Sequence, residues 1–599
     1  MQHTDYKNVT LDSGFLYRKH LLNENVTINA VYDRLADTGR IAAYNFDGSV
    51  KPHEYWDSDV TKWMESAAYI LAQTPNDELQ AKVENIIDKF IEHQGEDGYF
   101  NLYYMQVEPE GRFTDRKMHE LYCLGGFIEA SVAYYEATGR DRFLNAVLKY
   151  VDYVNKYVIE EKRGAFLTPG HEEIELALIK LYRLTKNKKY LDMAAYFVNT
   201  RGTCEEQSIW PGSVTRYGDQ SHLPVREQLT AEGHAVRACY LYSAMADLAL
   251  ELNDDTLKTA CKRLFDDIIK HKMYITGGIG STRLCEAFTV PYDLPNERAY
   301  AETCAAISLI FFSHRMQCLE NNAVYADIIE RELYNGFISG LSLSGDEFFY
   351  ENPLEIDLEN YTKYHSSVEG ETFAAPQRRK VIDCFCCPPN ITRVLPVLGS
   401  YIYGFEDGAC FINQFAASSV KHDGMEVSQS TDYPCSGKVA VTQKNVKKLY
   451  IRIPSWCAEY DIDTDFRIEN GYAVVENPAD KINIDFKMKP MLIEANPLVK
   501  ADSGKAAVQY GPVVYCIEAV DNDANLHGLY IGKNLDCTVK YDDTYGLNTI
   551  TAKGYKKLFN GNLYAPYSET FEDASLSLIP YCCFANRGKS NMTVWLNVR

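Results

Sequence analysis

Ala137-Thr138-Gly139-Arg140-Asp141-Arg142-Phe143-Leu144 closes one helical pattern, turns through short polar residues and opens another. This unit decides the fold, because it returns three more times. It appears as Ala72-Gln73-Thr74-Pro75-Asn76-Asp77-Glu78-Leu79, as Leu184-Thr185-Lys186-Asn187-Lys188-Lys189-Tyr190-Leu191 and as Glu251-Leu252-Asn253-Asp254-Asp255-Thr256-Leu257. Each copy sets turn residues and capping candidates between two periodic segments. From about residue 20 to 400, apolar residues recur at three- and four-residue spacing, giving about a dozen helices. Repeated helical hairpins build an open solenoid or a closed ring. Uneven spacing and long irregular insertions at 201–227 and 275–299 favour a closed barrel with functional loops at one end.

After residue 400 the texture changes. Lys438–Thr442, Leu449–Ile453, Tyr472–Glu476, Ile482–Phe486 and Val513–Ile517 are short, alternating and β-branched, separated by Gly, Asn, Asp and Pro. They predict antiparallel β-sandwich material in two modules. The expected division is a helical barrel over 1–400, a β-sandwich over 401–500 and a second β-rich domain over 501–599.

The balance of 61 basic against 83 acidic residues, net −22 over 599 residues, argues against nucleic acid or an anionic membrane as partner. The 44 tyrosines suit stacking on sugar faces, although packing accounts for most of them. Seventeen cysteines are scattered from Cys123 to Cys583 without a repeating framework. Met1-Gln2-His3-Thr4-Asp5-Tyr6 has no basic n-region followed by an apolar h-region, and the longest apolar run, near Ala305–Phe312, is too short for a membrane span. A reducing cytoplasm is the expected location.

Cys384-Phe385-Cys386-Cys387-Pro388-Pro389-Asn390 puts three thiols in four residues ahead of two prolines. Buried thiols packing as small hydrophobes have no reason to cluster, and adjacent cysteines pair poorly with each other. Two of them can give thiolates to one metal, for which zinc is the usual choice. Glu302-Thr303-Cys304 offers a carboxylate and a thiolate at the start of an apolar helical run; with Cys386 and Cys387 it would complete a four-ligand shell. An ordinary buried thiol is the alternative for Cys304. Upstream, Gly277-Gly278-Ile279-Gly280-Ser281-Thr282 lacks the spacings of nucleotide loops. Glu286, beside Phe288, suits a carboxyl held partly apolar with a raised pKa, as a general acid requires; the alternative is a solvated loop glutamate. His119, His171 and His234 each stand near a predicted helix start, and helix starts of a barrel face one rim. Capping or core packing is the other reading of each.

These residues carry a resemblance. Gly278-Ile279-Gly280-Ser281-Thr282, Glu286-Ala287-Phe288, Tyr292-Asp293-Leu294-Pro295-Asn296 and Tyr300-Ala301-Glu302-Thr303-Cys304 resemble the signature of glycoside hydrolase family 127, the β-L-arabinofuranosidases. So do Cys386-Cys387-Pro388-Pro389-Asn390, Arg452-Ile453-Pro454-Ser455-Trp456, Asp57-Ser58-Asp59-Val60 with Lys62-Trp63, and Asn335-Gly336. The resemblance runs from about residue 10 to beyond 515. It implies an (α/α)6 barrel followed by β-sandwich domains, with zinc on Glu302, Cys304, Cys386 and Cys387. It also implies Cys386 as nucleophile and Glu286 as acid/base, with His119, His171, His234, Glu330 and Tyr350 on the sugar. A homodimer through the C-terminal β region is a further implication. One position departs: Cys285 stands where the family carries a small residue, usually glycine.

The implied activity is retaining hydrolysis of a terminal β-L-arabinofuranosyl residue from a small oligosaccharide or glycopeptide. A thiolate would replace the usual carboxylate nucleophile. The same machinery on another L-configured or branched plant sugar is the near alternative. A non-catalytic carbohydrate-binding scaffold with a closed structural zinc is the distant one, and a polysaccharide lyase would need a Tyr/His base with an arginine clamp.

Overall fold

A computed structural model describes residues 1–209, 215–363, 374–382, 384–559 and 561–599. All four hairpin signatures turn where their capping residues stand. The first joins Trp56–Leu71 to Asp77–His93, with Asn76 Oδ1 accepting from Leu79 N at 3.0 Å. The others join Glu120–Thr138 to Arg142–Val154, Ile174–Thr185 to Lys188–Thr200, and Ala235–Leu252 to Asp255–Asp267.

The first member of each pair belongs to an inner ring. We number the ring α1 (Trp56–Leu71), α2 (Glu120–Thr138), α3 (Ile174–Thr185), α4 (Ala235–Leu252), α5 (Thr303–Leu319) and α6 (Cys387–Val394). Each packs on the next, and α6 returns to α1, so the ring closes as an (α/α)6 barrel. Inner helices are wrapped on all sides; along α2, fifteen consecutive residues from Glu120 to Tyr134 are buried. Outer helices such as Asp77–His93 and Ala323–Arg331 bury one stripe only.

The strands build two further units. Two six-stranded sheets form the middle one, and the first eleven residues join it: Gln2–His3 pairs with Gly404–Phe405 and Val9–Leu11 with Ser418–Val420. The expected start of the barrel at residue 1 therefore shifts inward. In the last unit, strand Lys505–Tyr510 pairs both with Val513–Glu518 and with Leu596–Val598, closing a ring of six strands. Met491–Ile493 already pairs within this unit, so the division between the β units falls before residue 491 and not at 500.

Buried polar clamps join the units. Arg452, fully buried, forms ion pairs with Asp327 and Glu330, and Trp456 Nε1 donates to Glu330 Oε2 at 3.1 Å. Asn335 accepts from Val514 N at 2.8 Å and donates to Pro512 O at 2.9 Å. The neighbouring Gly336 leaves no room for a side chain, since a Cβ there would lie 2.3 Å from Glu332 Oε2.

Candidate active site

The N-termini of all six inner helices open toward one end of the barrel. Their capping positions are Tyr55, His119, Glu173, His234, Glu302 and Cys386. All but Glu173 line a single cavity of about 190 Å³, with His171, Glu286 and Tyr350 also in its wall. Helix N-termini carry partial positive charge and unpaired N–H groups, so this end favours anions. Prolines 388 and 389 occupy the first turn of α6, where a missing N–H costs nothing, and the helix can start immediately after Cys386.

Glu302, Cys304, Cys386 and Cys387 come together as one cluster. Cys304 Sγ lies 3.3 Å from Cys387 Sγ and 3.6 Å from Cys386 Sγ, and Cys386 and Cys387 are 3.7 Å apart. Glu302 Oε1 is 3.7 Å from both Cys386 and Cys387 sulfurs. A tetrahedral zinc with ordinary Zn–S and Zn–O bonds would set sulfurs about 3.8 Å apart and sulfur from oxygen about 3.5 Å. The donor set therefore fits zinc in type, number and spacing. Burial drives the Glu302 carboxyl and the Cys387 thiol well up, so four anions cannot coexist here without a cation among them. Glu302 Oε2 is buried with no hydrogen-bond partner.

Glu286 faces the cluster across the cavity. Its loop is built by glycines at 277 and 280, in left-handed conformation (φ 96° and 82°), and Phe288 N donates to Gly233 O at 2.8 Å. The glycines thus fold the loop back onto the start of α4. Cys285 and Glu286 are themselves left-handed (φ 55° and 53°), which explains why the resembling family favours a small residue, usually glycine, at 285.

Glu286 Oε2 lies 2.5 Å from His234 Nε2, while Oε1 accepts from Tyr300 Oη at 2.9 Å and Tyr350 Oη at 3.4 Å. The raised pKa expected from the sequence is reversed. Burial does push this carboxyl up, but the His234 imidazole and the hydrogen bonds from His234 and Tyr300 outweigh it and hold Glu286 down at about 2. A partly apolar neighbour is visible in sequence, whereas a histidine 52 positions upstream in the chain is not identifiable as its partner. The Tyr350 hydroxyl also touches Cys386 Sγ at 3.7 Å, so one side chain spans Glu286 and Cys386.

His119, His171 and His234 form one wall, with ring centres 5.7 Å and 5.6 Å apart along the series. Burial first, and the nearby Arg237 cation second, lower the pKa of His119 to about 3 and that of His171 well below the usual range. Both rings are neutral at pH 7; His171 spends its Nδ1–H on Glu172 O at 2.9 Å, which leaves Nε2 as an acceptor for a sugar hydroxyl. Among the described residues His119 Nδ1 has no hydrogen-bond partner.

Glu330 does not join them. It sits on an outer helix with its carboxylate turned to the middle β unit, where Arg452, Trp456 and Tyr433 satisfy it. The sugar-binding role implied for it is corrected by this geometry, since it does not line the cavity. Tyr122, Arg237 and Tyr240, in contrast, line the cavity without having been singled out. Tyr122 and Arg237 each follow a rim histidine by three positions, and that helical spacing was the available signal.

Comparison with known proteins gives the same picture. Residues 8–400 match the model of the β-L-arabinofuranosidase GH127 catalytic domain, 409–488 the GH127 middle domain and 490–597 the glycoside hydrolase family 127 C-terminal domain. A protein of Bifidobacterium longum subsp. longum named non-reducing end beta-L-arabinofuranosidase is 33% identical, covering 93% of this chain and 91% of its own. The crystal structure of a GH127 beta-L-arabinofuranosidase from Geobacillus stearothermophilus superposes with a TM-score of 0.93 at 37% identity, covering 99% of this chain and 100% of that one. A further structure, described as a GH127 beta-arabinofuranosidase, gives 0.89 at 31% identity over 100% of this chain and 98% of that one. Matched by the family's three domain models over nearly its whole length, this chain belongs to glycoside hydrolase family 127.

Proposed function

We propose that this protein is a retaining exo-glycosidase that removes terminal β-L-arabinofuranosyl residues, with Cys386 as nucleophile and Glu286 as acid/base. One observation carries the reading. Cys387 and Cys304 are 0% and 3% exposed, whereas Cys386 is only half-buried and opens into the cavity that Glu286 also lines. A closed structural zinc would bury all three sulfurs and leave Glu286 no cavity to face. The names of the relatives supply the sugar.

Glu302, Cys304, Cys386 and Cys387 would hold zinc, which when bound removes thiol protons and keeps the sulfurs as thiolates. In the first step Cys386 Sγ attacks the anomeric carbon, the bond to the leaving oxygen breaks, and Glu286 gives that oxygen a proton. Glu286 takes that proton up from solvent before the step, since His234, its pKa lowered by burial and its Nδ1 accepting from Val236 N, is neutral and orients the carboxyl without a proton to spare. In the second step Glu286 takes a proton from water, whose oxygen attacks the same carbon and releases Cys386. Two displacements retain configuration. The three histidines and Tyr350 orient the ring. The substrate would be a small oligosaccharide or glycopeptide met in the cytoplasm, a setting consistent with seventeen free cysteines.

A panel of chromogenic L- and D-furanosides and pyranosides tests the reading. The β-L-arabinofuranoside should be cleaved fastest, with a β-configured first product, and a zinc chelator should abolish the rate. Preference for another sugar would replace the substrate, and full activity after zinc removal would refute the metal-held thiolate.

A further inference from the structure

In the stretch Asp57-Ser58-Asp59-Val60 with Lys62-Trp63 the polar side chains are held by neighbours, and Lys62 is the one whose partner is a neutral hydroxyl on the cavity wall. Asp57 accepts from Leu102 N and Tyr44 Oη, Asp59 from Arg40, and Trp63 Nε1 donates to Ile28 O. Lys62 remains. It is 2% exposed inside the barrel, and among the described residues no carboxylate lies within ion-pair distance of it. Its Nζ donates instead to Tyr122 Oη at 2.6 Å, and Tyr122 lines the cavity together with Cys304 and Cys386. A buried ammonium held only by a neutral hydroxyl is costly unless an anion stands near.

The Asp59 and Glu173 carboxyls act on Lys62 from beyond ion-pair distance, and the ligand cluster is a further anion at the cavity that Tyr122 lines. Three thiolates and a carboxylate around a divalent ion leave a net charge of about −2 in a buried site. The other buried cations near the cavity are engaged: Arg393 pairs with Glu65 and Glu173, and Arg40 with Asp59. We infer that Lys62 is the counter-charge of the Glu302–Cys304–Cys386–Cys387 cluster, positioned by Tyr122 to keep the cluster anionic and the metal bound. The electrostatics agree: burial lowers the pKa of the Lys62 ammonium, yet Tyr240 and the sulfurs of Cys304 and Cys386 outweigh it and hold the pKa above the ordinary value. This assignment rests on the zinc reading above, and it gives Asp59 and Lys62, three positions apart on α1, a division of labour. The aspartate anchors a neighbouring loop and the lysine serves the ligand cluster one turn further along α1.

The test is zinc affinity of the full-length protein, measured by competition with a chromophoric chelator. Lys62→Gln keeps a donor for Tyr122 and removes the charge; it should weaken zinc binding about 10–100-fold, as loss of an outer-shell partner does. Lys62→Arg should stay within about threefold of the parent. A Lys62→Gln protein that holds zinc as tightly as the parent overturns the inference, leaving the helix N-termini as sufficient compensation. Should Lys62→Gln fail to fold, Tyr122→Phe removes only the hydroxyl that fixes Nζ; it should weaken zinc severalfold, and unchanged affinity there overturns the inference equally. A parent protein that takes up no zinc refutes the metal reading itself, and this assignment with it.

Discussion

Glu286 is held in a backbone conformation that side-chain-bearing residues avoid, and so is Cys285 before it. Each left-handed residue costs about 1–2 kcal/mol, a cost sustained here by the packing of the loop on α4. The arrangement aims one carboxylate oxygen at His234 and the other at two tyrosine hydroxyls. Glu286→Gln removes the transferable proton and keeps the shape. Its kcat/KM should fall by about 10²–10⁴-fold on substrates with poor leaving groups and far less on activated aryl glycosides, with azide restoring part of the second step. A loss of equal size across an aryl series, with no rescue, would mean that Glu286 is not the acid/base.

The elements explain which parts of this site could be read in advance. Hairpin turns such as 137–144 were legible because their chemistry is local: Gly139 is left-handed at φ 70° and ends α2 where the periodicity stops. Histidines at helix starts were legible for the same reason, since the ring directs every inner N-terminus to one mouth. Ring closure was favoured by the uneven hairpin spacing, but its partners were not legible, because α6 meets α1 across more than 300 residues of chain. Nor was the recruitment of residues 2–3 and 9–11 to a distant sheet, segments too short to carry a strand pattern. Glu330 shows a third limit. The family resemblance implied a sugar contact for it, but the side of an outer helix on which it lies faces Arg452. Glu330→Gln should therefore leave KM unchanged while destabilising the protein by about 3 kcal/mol, since it breaks a buried ion pair from one side. Thermal unfolding and Michaelis kinetics on the same preparation decide this. A raised KM with an unaltered unfolding midpoint would return Glu330 to the sugar.

Across the whole molecule, a net charge of −22 coexists with carboxyl groups kept deep inside. Burial pushes Asp57 up to about 7, and Glu120, Glu172 and Glu332 up to about 8, against about 3.9–4.3 in an unfolded chain. The folded state thus binds more protons than the unfolded one between about pH 4 and 8. The stability these groups contribute is complete below the unfolded values and is lost as pH rises through the folded ones. With zinc saturation held constant, the unfolding midpoint should fall from pH 6 to pH 9; a rise over that range would contradict the protonated interior. The same closed barrel leaves Cys386 the most exposed of three clustered sulfurs at the cavity, and the central claim is that this sulfur bonds to the sugar. A haloacetamide derivative of L-arabinofuranose, followed by peptide mass spectrometry, tests it most directly. The adduct should map to Cys386, in proportion to lost activity and with protection by free L-arabinose. An adduct on Cys387, or an active enzyme that labels at neither cysteine, would contradict it.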